Sequence, residues 1–348
     1  MIAHHTRLLA QVLLITTLLL CIHAQAAVRH VHLPYPGGKV DVYSDTAQCV
    51  IVVEGLLDRG SAKSVSNAFR LLRPSECVER IVVFNSAGGT PNLAYSYAEL
   101  IRKNGFDTEV AKQGLCSSAC AYAFLGGSRR FIDDKARFGV HQHTRKGVCT
   151  PALTEDEDRR LRRIAEQAMP APAIDRFIEL IAATDCRTMA FLSPEVLNEL
   201  SIANAQQTRV SSAIQDAIEA RALQEIATLR ATASGPWIRA VGDNALTVFT
   251  RSAAAPPAGG KPVIWGLVNH AADRMHRQAG EHYRSFEALN EADCEKQTLA
   301  VILGVYTREA MGEGRIVWKT GRLAPTPVKP KTPAEFMFKK ACERVEPD

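Results

Sequence analysis

The sequence lacks the features that define several large classes of protein. Its formal net charge is only +5, from 42 Lys and Arg against 37 Asp and Glu, which is too small an excess to indicate nucleic acid as a partner. Its 22 glycines follow no period, which excludes a collagen-like chain. It contains no zinc-finger, P-loop or EF-hand motif. With 46% hydrophobic and 23% charged residues it has a globular composition, and 348 residues favour two domains.

Long apolar runs are scarce, and the clearest one lies near residue 1. Arg7 is the one formally charged side chain before Arg29, and 8–22 is a run of 15 mostly apolar residues. Ala24-Gln25-Ala26 then supplies the small-x-small pattern of a signal-peptidase site. Because a membrane span needs about 20 apolar residues, we predict a signal peptide over 1–26 rather than an anchor. The mature protein is then exported, to the periplasm or the cell surface, and is not embedded in the membrane.

The cysteine count is typical of an oxidising compartment. Removing Cys21 with the signal peptide leaves eight of the nine cysteines, an even number that favours disulfides over metal ligation. The closest pair, Cys116 and Cys120, has three residues between its members, whereas zinc sites commonly use two. The sequence therefore predicts disulfides, with no metal and no other cofactor.

Residues 27–205 alternate between two hydrophobic patterns. Short β-branched runs at 50–53 and 81–84 are too brief for helices, and each is followed by a segment with an amphipathic helical pattern, at 61–72 and 90–105. Repeated strand–helix units imply parallel strands joined by right-handed crossovers, with helices covering the sheet. We therefore predict an α/β domain here.

The remainder of the chain has a different composition, and all three tryptophans lie after residue 236. The apolar residues of 206–235 recur at helical spacing, which predicts a helical linker that ends near Ser234-Gly235-Pro236. Residues 236–348 contain β-rich segments separated by turn residues, which predicts a smaller and mostly antiparallel domain.

Three constellations in the α/β region carry chemistry. Asn85-Ser86-Ala87-Gly88-Gly89 lies between a strand and a helix, where glycines allow a sharp turn and leave backbone N–H groups open to an anion. Ser118 stands among small residues at 114–121, at the start of an apolar helix whose dipole favours negative charge. His141 lies inside an otherwise apolar strand. A serine hydroxyl becomes a good nucleophile when an adjacent imidazole takes its proton.

Each of these residues also has a simpler interpretation. Ser118 could cap its helix, and His141 could be a hydrogen-bonded core histidine. Cys116 or Cys120 could be the nucleophile instead, although exported thiols usually pair. A Ser–Lys dyad would need Lys112 or Lys135 beside the serine, and neither lies in a recognisable motif.

The order of these motifs resembles the proteolytic subunit of the Clp proteases, in the ClpP/crotonase-like superfamily, over about residues 48–205. That subunit carries an Asn-Ser-Pro-Gly-Gly turn, then a nucleophilic serine among small residues, then a His-Gln pair. The resemblance implies Ser118 as nucleophile, His141 as general base, and the N–H groups of Gly89 and Ala119 as the oxyanion hole. It also allows a homo-oligomer, since 154–163 falls where the Clp subunit uses a long helix in ring contacts.

The third member of the triad departs from the family pattern. The family places an aspartate two residues before a Phe-Leu-Ser stretch, and Met189 holds that position here. Asp185 is the nearest acid, four residues earlier, and we take it as the third catalytic residue. The order of the motifs and the export signal together predict an ATP-independent serine hydrolase. We expect a peptidase that acts on peptides or unfolded chains without an ATPase partner. The alternative is a catalytically inactive Clp-like scaffold that serves as a binding or adhesin protein.

Residues 237–346 resemble the surface-adhesin protein E-like domain. The residues that carry this likeness are Trp237, Val263-Ile264-Trp265-Gly266-Leu267, Ser285, Asp293-Cys294, Tyr306, Met311-Gly312, Pro333-Ala334-Glu335 and Cys342. The family pairs two cysteines at these positions, so the resemblance implies a Cys294–Cys342 disulfide. Cys49 and Cys77 each stand at the entrance to an adjacent parallel strand, which makes them a plausible pair. Three pairings remain open for Cys116, Cys120, Cys149 and Cys186.

Overall fold

The computed structural model describes residues 28–72, 77–145, 148–150, 152–253, 260–276, 281–323 and 325–343. The predicted signal peptide, 1–26, lies outside the described residues. Within them the chain forms a nine-stranded and a seven-stranded β-sheet, which a long helix connects, and a small two-stranded sheet at 143–145 and 148–150. None of the helices in these ranges combines the length and apolar content that crossing a bilayer requires.

The first part of the chain contains eleven strands and six helices within the described ranges. The strands are β1 (Arg29–Tyr35), β2 (Gly38–Ser44), β3 (Gln48–Leu57), β4 (Glu79–Gly89), β5 (Asp107–Val110), β6 (Leu115–Ser117), β7 (Arg130–Ile132), β8 (Arg137–Val140), β9 (His143–Arg145), β10 (Val148–Thr150) and β11 (Ala190–Phe191). The helices are α1 (Arg59–Leu71), α2 (Pro91–Lys103), α3 (Ala119–Phe124), α4 (Glu155–Ala165), α5 (Ala171–Ala183) and α6 (Pro194–Glu199).

The second part begins with the connecting helix α7 (Ser212–Ala231). It continues with β12 (Ala233–Gly242), β13 (Leu246–Ala253), β14 (Val263–His276), β15 (Glu281–Asp293), β16 (Thr298–Thr307), β17 (Ile316–Thr320), β18 (Thr326–Pro327) and α8 (Pro333–Cys342). These strands form an antiparallel sheet in the order β12-β13-β14-β15-β16-β17, with β18 beside β16. The helical linker and the mostly antiparallel second region are thus confirmed.

The first sheet is parallel at its centre and antiparallel at its edges. Its order is β1-β2-β3-β4-β6-β8-β11, with β5 beside β4 and β7 beside β5. β3, β4, β6 and β8 run parallel, as the strand–helix pattern predicted, whereas β1, β2 and β11 pair antiparallel. The centres of β3 and β4 are continuous apolar runs because both faces of the sheet are covered there.

The connecting helix α7 contributes to the cores of both regions. Near its start, Ile214 packs with Val52 and Ile81 on one face of the first sheet. Three turns later, Ile226 packs with Trp265 of the second sheet. The opposite face of the first sheet is covered by the other helices, which enclose the largest hydrophobic core. The linker therefore holds the two sheets through side-chain packing as well as through the chain.

Four disulfides cross-link the described residues. Cys49 pairs with Cys77 and Cys294 with Cys342, the two pairs named from the sequence. The four cysteines whose pairing was open form Cys116–Cys120 and Cys149–Cys186. The last two disulfides lie beside the residues that the sequence singled out for chemistry.

Candidate active site

Ser118 occupies a strained turn between β6 and α3. Its backbone has φ 57° and ψ −127°, a region that residues other than glycine rarely adopt. Conformations of this kind cost about 1–3 kcal/mol and occur most often at functional sites. Ser118 stands at the N-cap position of α3, yet its side chain makes no capping hydrogen bond. The capping interpretation of this serine is therefore not supported.

Gly88 lies directly against this turn. A Cβ atom added at Gly88 would stand 2.7 Å from Cβ of Ser118, 2.6 Å from the carbonyl oxygen of Ser117 and 3.0 Å from the nitrogen of Ala119. Gly88 also has φ +98°, which favours glycine. Its N–H donates to Oγ of Ser86 at 3.1 Å. Gly88 thus lets the backbone of β4 approach the serine turn closely.

Two backbone N–H groups named from the sequence belong to this region. Ala119 is the first residue of α3, so its N–H has no acceptor within the helix. Gly89 ends β4 and is exposed, with Leu57 of β3 as its neighbour in the sheet. Since a Cβ added at Gly88 would contact both Ser118 and Ala119, Gly89 lies one residue from the same turn.

The Cys116–Cys120 disulfide encloses Ser118. Both cysteines are fully buried, and their Cα atoms are 5.2 Å apart across the turn. Because their sulfurs are bonded to each other, neither is a free thiolate, which is the form a cysteine nucleophile needs. The cross-link instead restrains the backbone on both sides of Ser118.

His141 leaves the sheet at the same edge as Ser118. β6 and β8 are parallel neighbours in which Ser117 pairs with Gly139, and the N–H of Ser118 donates to the carbonyl of Gly139 at 2.9 Å. His141 follows the last residue of β8, just as Ser118 follows the last residue of β6. The two residues are therefore neighbours at the carboxyl ends of adjacent strands. No hydrogen bond joins their side chains among the described residues.

The surroundings of His141 keep its ring neutral at neutral pH. Burial lowers the pKa of His141 below its ordinary value, the backbone of Cys186 acts in the opposite sense, and nearby His143 lowers it further. Nδ1 of the ring is buried and has no hydrogen-bond partner of good geometry among the described residues. A neutral imidazole can accept a proton, as a general base must.

Asp185 does not orient His141 in this structure. Both oxygens of the Asp185 carboxylate accept hydrogen bonds from the guanidinium of Arg187 at 2.8 Å. These bonds hold the pKa of Asp185 well below its ordinary value. The structure therefore gives no support to Asp185 as the third member of the triad, because the loop directs its carboxylate toward Arg187.

Met189 stands where the family pattern has its acid. In the antiparallel pair β11–β8, Ala190 lies opposite Val140, so the same register continued by one residue brings Met189 beside His141. The side chain of Met189 packs against Gly139, where an added Cβ would lie 2.8 Å from Cγ of the methionine. An apolar side chain therefore occupies the space beside the histidine.

A second histidine lies in a buried polar chain that the sequence did not assign. Nε2 of His143 is 2.9 Å from the hydroxyl of Tyr122, and its Nδ1 is 3.3 Å from a carboxylate oxygen of Glu157. The other oxygen of Glu157 accepts from Thr154 in the capping box that starts α4. The carboxylate of Glu157 is thus the acid that contacts His143. The contact between Glu157 and His143 depends on the packing of α4 against the strand that carries the histidine, which sequence separation does not define.

The two lysines considered for a Ser–Lys dyad lie elsewhere. Lys112 and Lys135 are both exposed, and after the hydrogen bond from Arg315 their charges also lower the pKa of Glu281 in β15. No hydrogen bond connects either lysine to Ser118 among the described residues. A lysine base is therefore not supported.

Comparisons with known proteins give the chain two kinds of neighbour. No curated protein matches the sequence. ClpP1 from Listeria monocytogenes is similar in structure, with TM-score 0.35 and 16% identity over 46% of this chain and 92% of that chain. A mutant of the 1510-N membrane-bound stomatin-specific protease has TM-score 0.37 and 12% identity over 46% of this chain and 79% of that chain. At these values the similarity carries no information on activity. Residues 237–343 match the family of surface-adhesin protein E.

Proposed function

We propose that this protein is an exported, ATP-independent serine hydrolase, and more specifically a peptidase, with Ser118 as nucleophile and His141 as general base. The observation that carries the proposal is the Ser118 turn. Its strained backbone, the lack of a capping hydrogen bond from its side chain and the close approach of Gly88 are a costly arrangement for a residue that serves only to begin a helix.

The chemistry follows from the neighbouring groups. His141 takes the hydroxyl proton of Ser118 as the oxygen attacks the substrate carbonyl, which requires the neutral ring that burial favours. The N–H groups of Ala119 and Gly89 would then stabilise the tetrahedral oxyanion, and one such donor contributes about 3 kcal/mol to lowering the barrier. Because no hydrogen bond joins the two side chains here, substrate binding must bring the hydroxyl and the ring together.

The absence of an acid beside His141, among the described residues, predicts slow catalysis. Loss of the orienting aspartate lowers kcat by about 10⁴-fold in chymotrypsin-like enzymes. In this protein the backbone of Cys186 is the group that favours the protonated ring. The Cys149–Cys186 disulfide, together with the hydrogen bond from the N–H of Gln142 to Thr184 at 2.8 Å, restrains that backbone. We assign the backbone of Cys186 as the orienting partner of His141, which requires the ring to turn toward it when substrate binds, because Nδ1 makes no hydrogen bond in the structure.

Labelling with a fluorophosphonate probe tests the proposal. The purified protein should react covalently, and Ser118→Ala should abolish the reaction. Ser96→Ala is the matched control, because Ser96 is an exposed serine on α2, and it should label as the wild type does. Asp185→Asn should also leave the rate unchanged, whereas an acid of the triad would give the large loss cited above. Labelling that persists in Ser118→Ala contradicts the assignment of the nucleophile.

A second function is favoured by Met189 and by the surface-adhesin match. In that case the first region is an inactive scaffold and the second region binds a partner. Wild-type protein that resists labelling at every pH, while remaining folded, would favour this function over hydrolysis.

The four disulfides and the surface-adhesin match are typical of a protein outside the reducing cytoplasm. We assign the protein to the periplasm and take its substrates to be peptides or unfolded chains. Fractionation of cells by osmotic shock, with N-terminal sequencing of the released protein, tests both the compartment and cleavage after Ala26.

A further inference from the structure

Two histidines and an aspartate meet at the edge of the first sheet, four strands away from β6. His30 and His32 alternate along β1 and therefore share one face. Asp41 of β2 lies directly opposite His32 in the antiparallel register, and Tyr43 lies opposite His30. Since directly opposed residues point to the same side of a sheet, all three polar groups stand on one face of this hairpin.

The three side chains converge on one point. Nε2 of His30 is 2.9 Å and Nδ1 of His32 is 2.7 Å from the same oxygen, Oδ1 of Asp41. The three donor atoms all lie within 4.8 Å of one another. The aspartate side chain is 4% exposed, whereas the histidine side chains are 26% and 35% exposed, so the group opens to solvent on the imidazole side.

We propose that His30, His32 and Asp41 bind a divalent transition metal, for which zinc is the suitable probe. Two imidazoles and one carboxylate form a common three-ligand set that leaves coordination positions open for water or a substrate. With metal–ligand distances of about 2.0–2.2 Å, tetrahedral ligand atoms stand about 3.3 Å apart. The two nitrogens thus need to move about half an ångström from Asp41, which the exposed rings permit.

Binding requires the two ring nitrogens that face Asp41 to give up their protons. In the structure both ring nitrogens face a carboxylate oxygen, which only accepts, so these nitrogens carry the protons. A metal needs the lone pairs of Nε2 of His30 and Nδ1 of His32. Each ring would therefore carry its proton on the other nitrogen when the metal is bound.

The charges around the hairpin also favour a cation. Lys39 is 3.8 Å from the second oxygen of Asp41 and 2.9 Å from Glu54, and it also pairs with Glu225 of α7. Three carboxylates thus share one ammonium group, with Lys319 of β17 acting on Glu54 from the second sheet. A divalent ion at Asp41 would add positive charge beside three carboxylates that share one directly paired lysine.

The proposed site is independent of the Ser118 turn. β2, β3 and β4 separate β1 from β6, which corresponds to about 19 Å at the usual strand spacing. His32 instead borders a cleft of about 210 Å³ between the first sheet, α7 and the second sheet. The other compact group of ligand-type residues, Cys149 with Asp185 and Cys186, has both sulfurs in a disulfide. A metal at His32 would therefore face the junction of the two regions.

Zinc titration by calorimetry tests the site on protein purified without a histidine tag. We expect one zinc ion per chain. His30→Ala and His32→Ala should each weaken binding at least about tenfold, since loss of even an outer-shell partner costs 10–100-fold. His282→Ala is the matched control, because it removes an exposed histidine from β15, and it should bind zinc as the wild type does. Cobalt(II) absorption of the same variants reports whether the imidazoles are ligands.

Two results would overturn the proposal. Wild-type protein that binds no zinc at a large molar excess shows that the histidines serve only as hydrogen-bond donors to Asp41. Equal zinc affinity in the wild type and in both histidine variants places any bound metal elsewhere. Because both histidines are partly exposed, far-UV circular dichroism should show that these variants are folded, so a loss of binding can be assigned to the ligands. Fluorophosphonate labelling of the variants should be unchanged, which separates this site from the proposed hydrolase.

Discussion

Replacing Gly88 by alanine tests whether the close approach to Ser118 matters. A left-handed backbone costs an L-residue about 1–2 kcal/mol. The added methyl group would also lie 2.6–2.7 Å from Ser117 and Ser118, and overpacking of this kind costs about 1–3 kcal/mol more. We therefore expect Gly88→Ala to lower the free energy of unfolding of the first region by about 2–5 kcal/mol. Gly105→Ala separates the two causes, because Gly105 has φ +66° but its nearest neighbouring atom is 4.0 Å away.

The assay can distinguish the two regions of the chain. All three tryptophans lie after residue 236, so tryptophan fluorescence follows the second sheet, while far-UV circular dichroism follows mainly the helices of the first. Gly88→Ala should lower the urea midpoint measured by far-UV circular dichroism. The midpoint measured by tryptophan fluorescence should be unchanged. It should also slow fluorophosphonate labelling about 10²–10³-fold, as loss of one oxyanion donor does, because the methyl group displaces Ala119. Stability and labelling equal to those of Gly105→Ala would refute the reasoning.

Two further predictions concern the base and the second region. Because burial lowers the pKa of His141, the labelling rate measured against pH should stay constant from pH 8 to about 6.5, the ordinary histidine value, and fall only below it. A midpoint above that value would contradict a buried base. Replacing Cys294 and Cys342 by serine should destabilise the second region by about 4 kcal/mol, since the disulfide closes a loop with sequence separation 48. Urea unfolding followed by tryptophan fluorescence measures this loss, and an unchanged midpoint would show that the cross-link does not restrain the unfolded chain.

Patterns that depend on near neighbours in the chain were predictable. The parallel centre of the first sheet followed from short β-branched runs that alternate with amphipathic segments, as at 50–53 and 81–84. The antiparallel hairpin of β1 and β2 was not predicted, because neither strand is a continuous apolar run and their neighbour β3 had already been assigned to the parallel set. For the same reason His30 and His32 had no visible partner. Asp41 becomes their neighbour when the hairpin closes.

The candidate site shows the same division. Ser118, His141 and the glycine pair were recognisable because their chemistry and order along the chain are local properties. Whether an acid reaches His141 depends on loop conformation. Asp185 is close in sequence, yet two hydrogen bonds to Arg187 direct it away, while Glu157 reaches His143 because α4 packs nearby. Residue type and spacing therefore indicated the parallel strands, the connecting helix and the groups capable of reaction. Only the packing of distant segments decided which of those groups meet, since side-chain contacts depend on distances in space that sequence separation does not define.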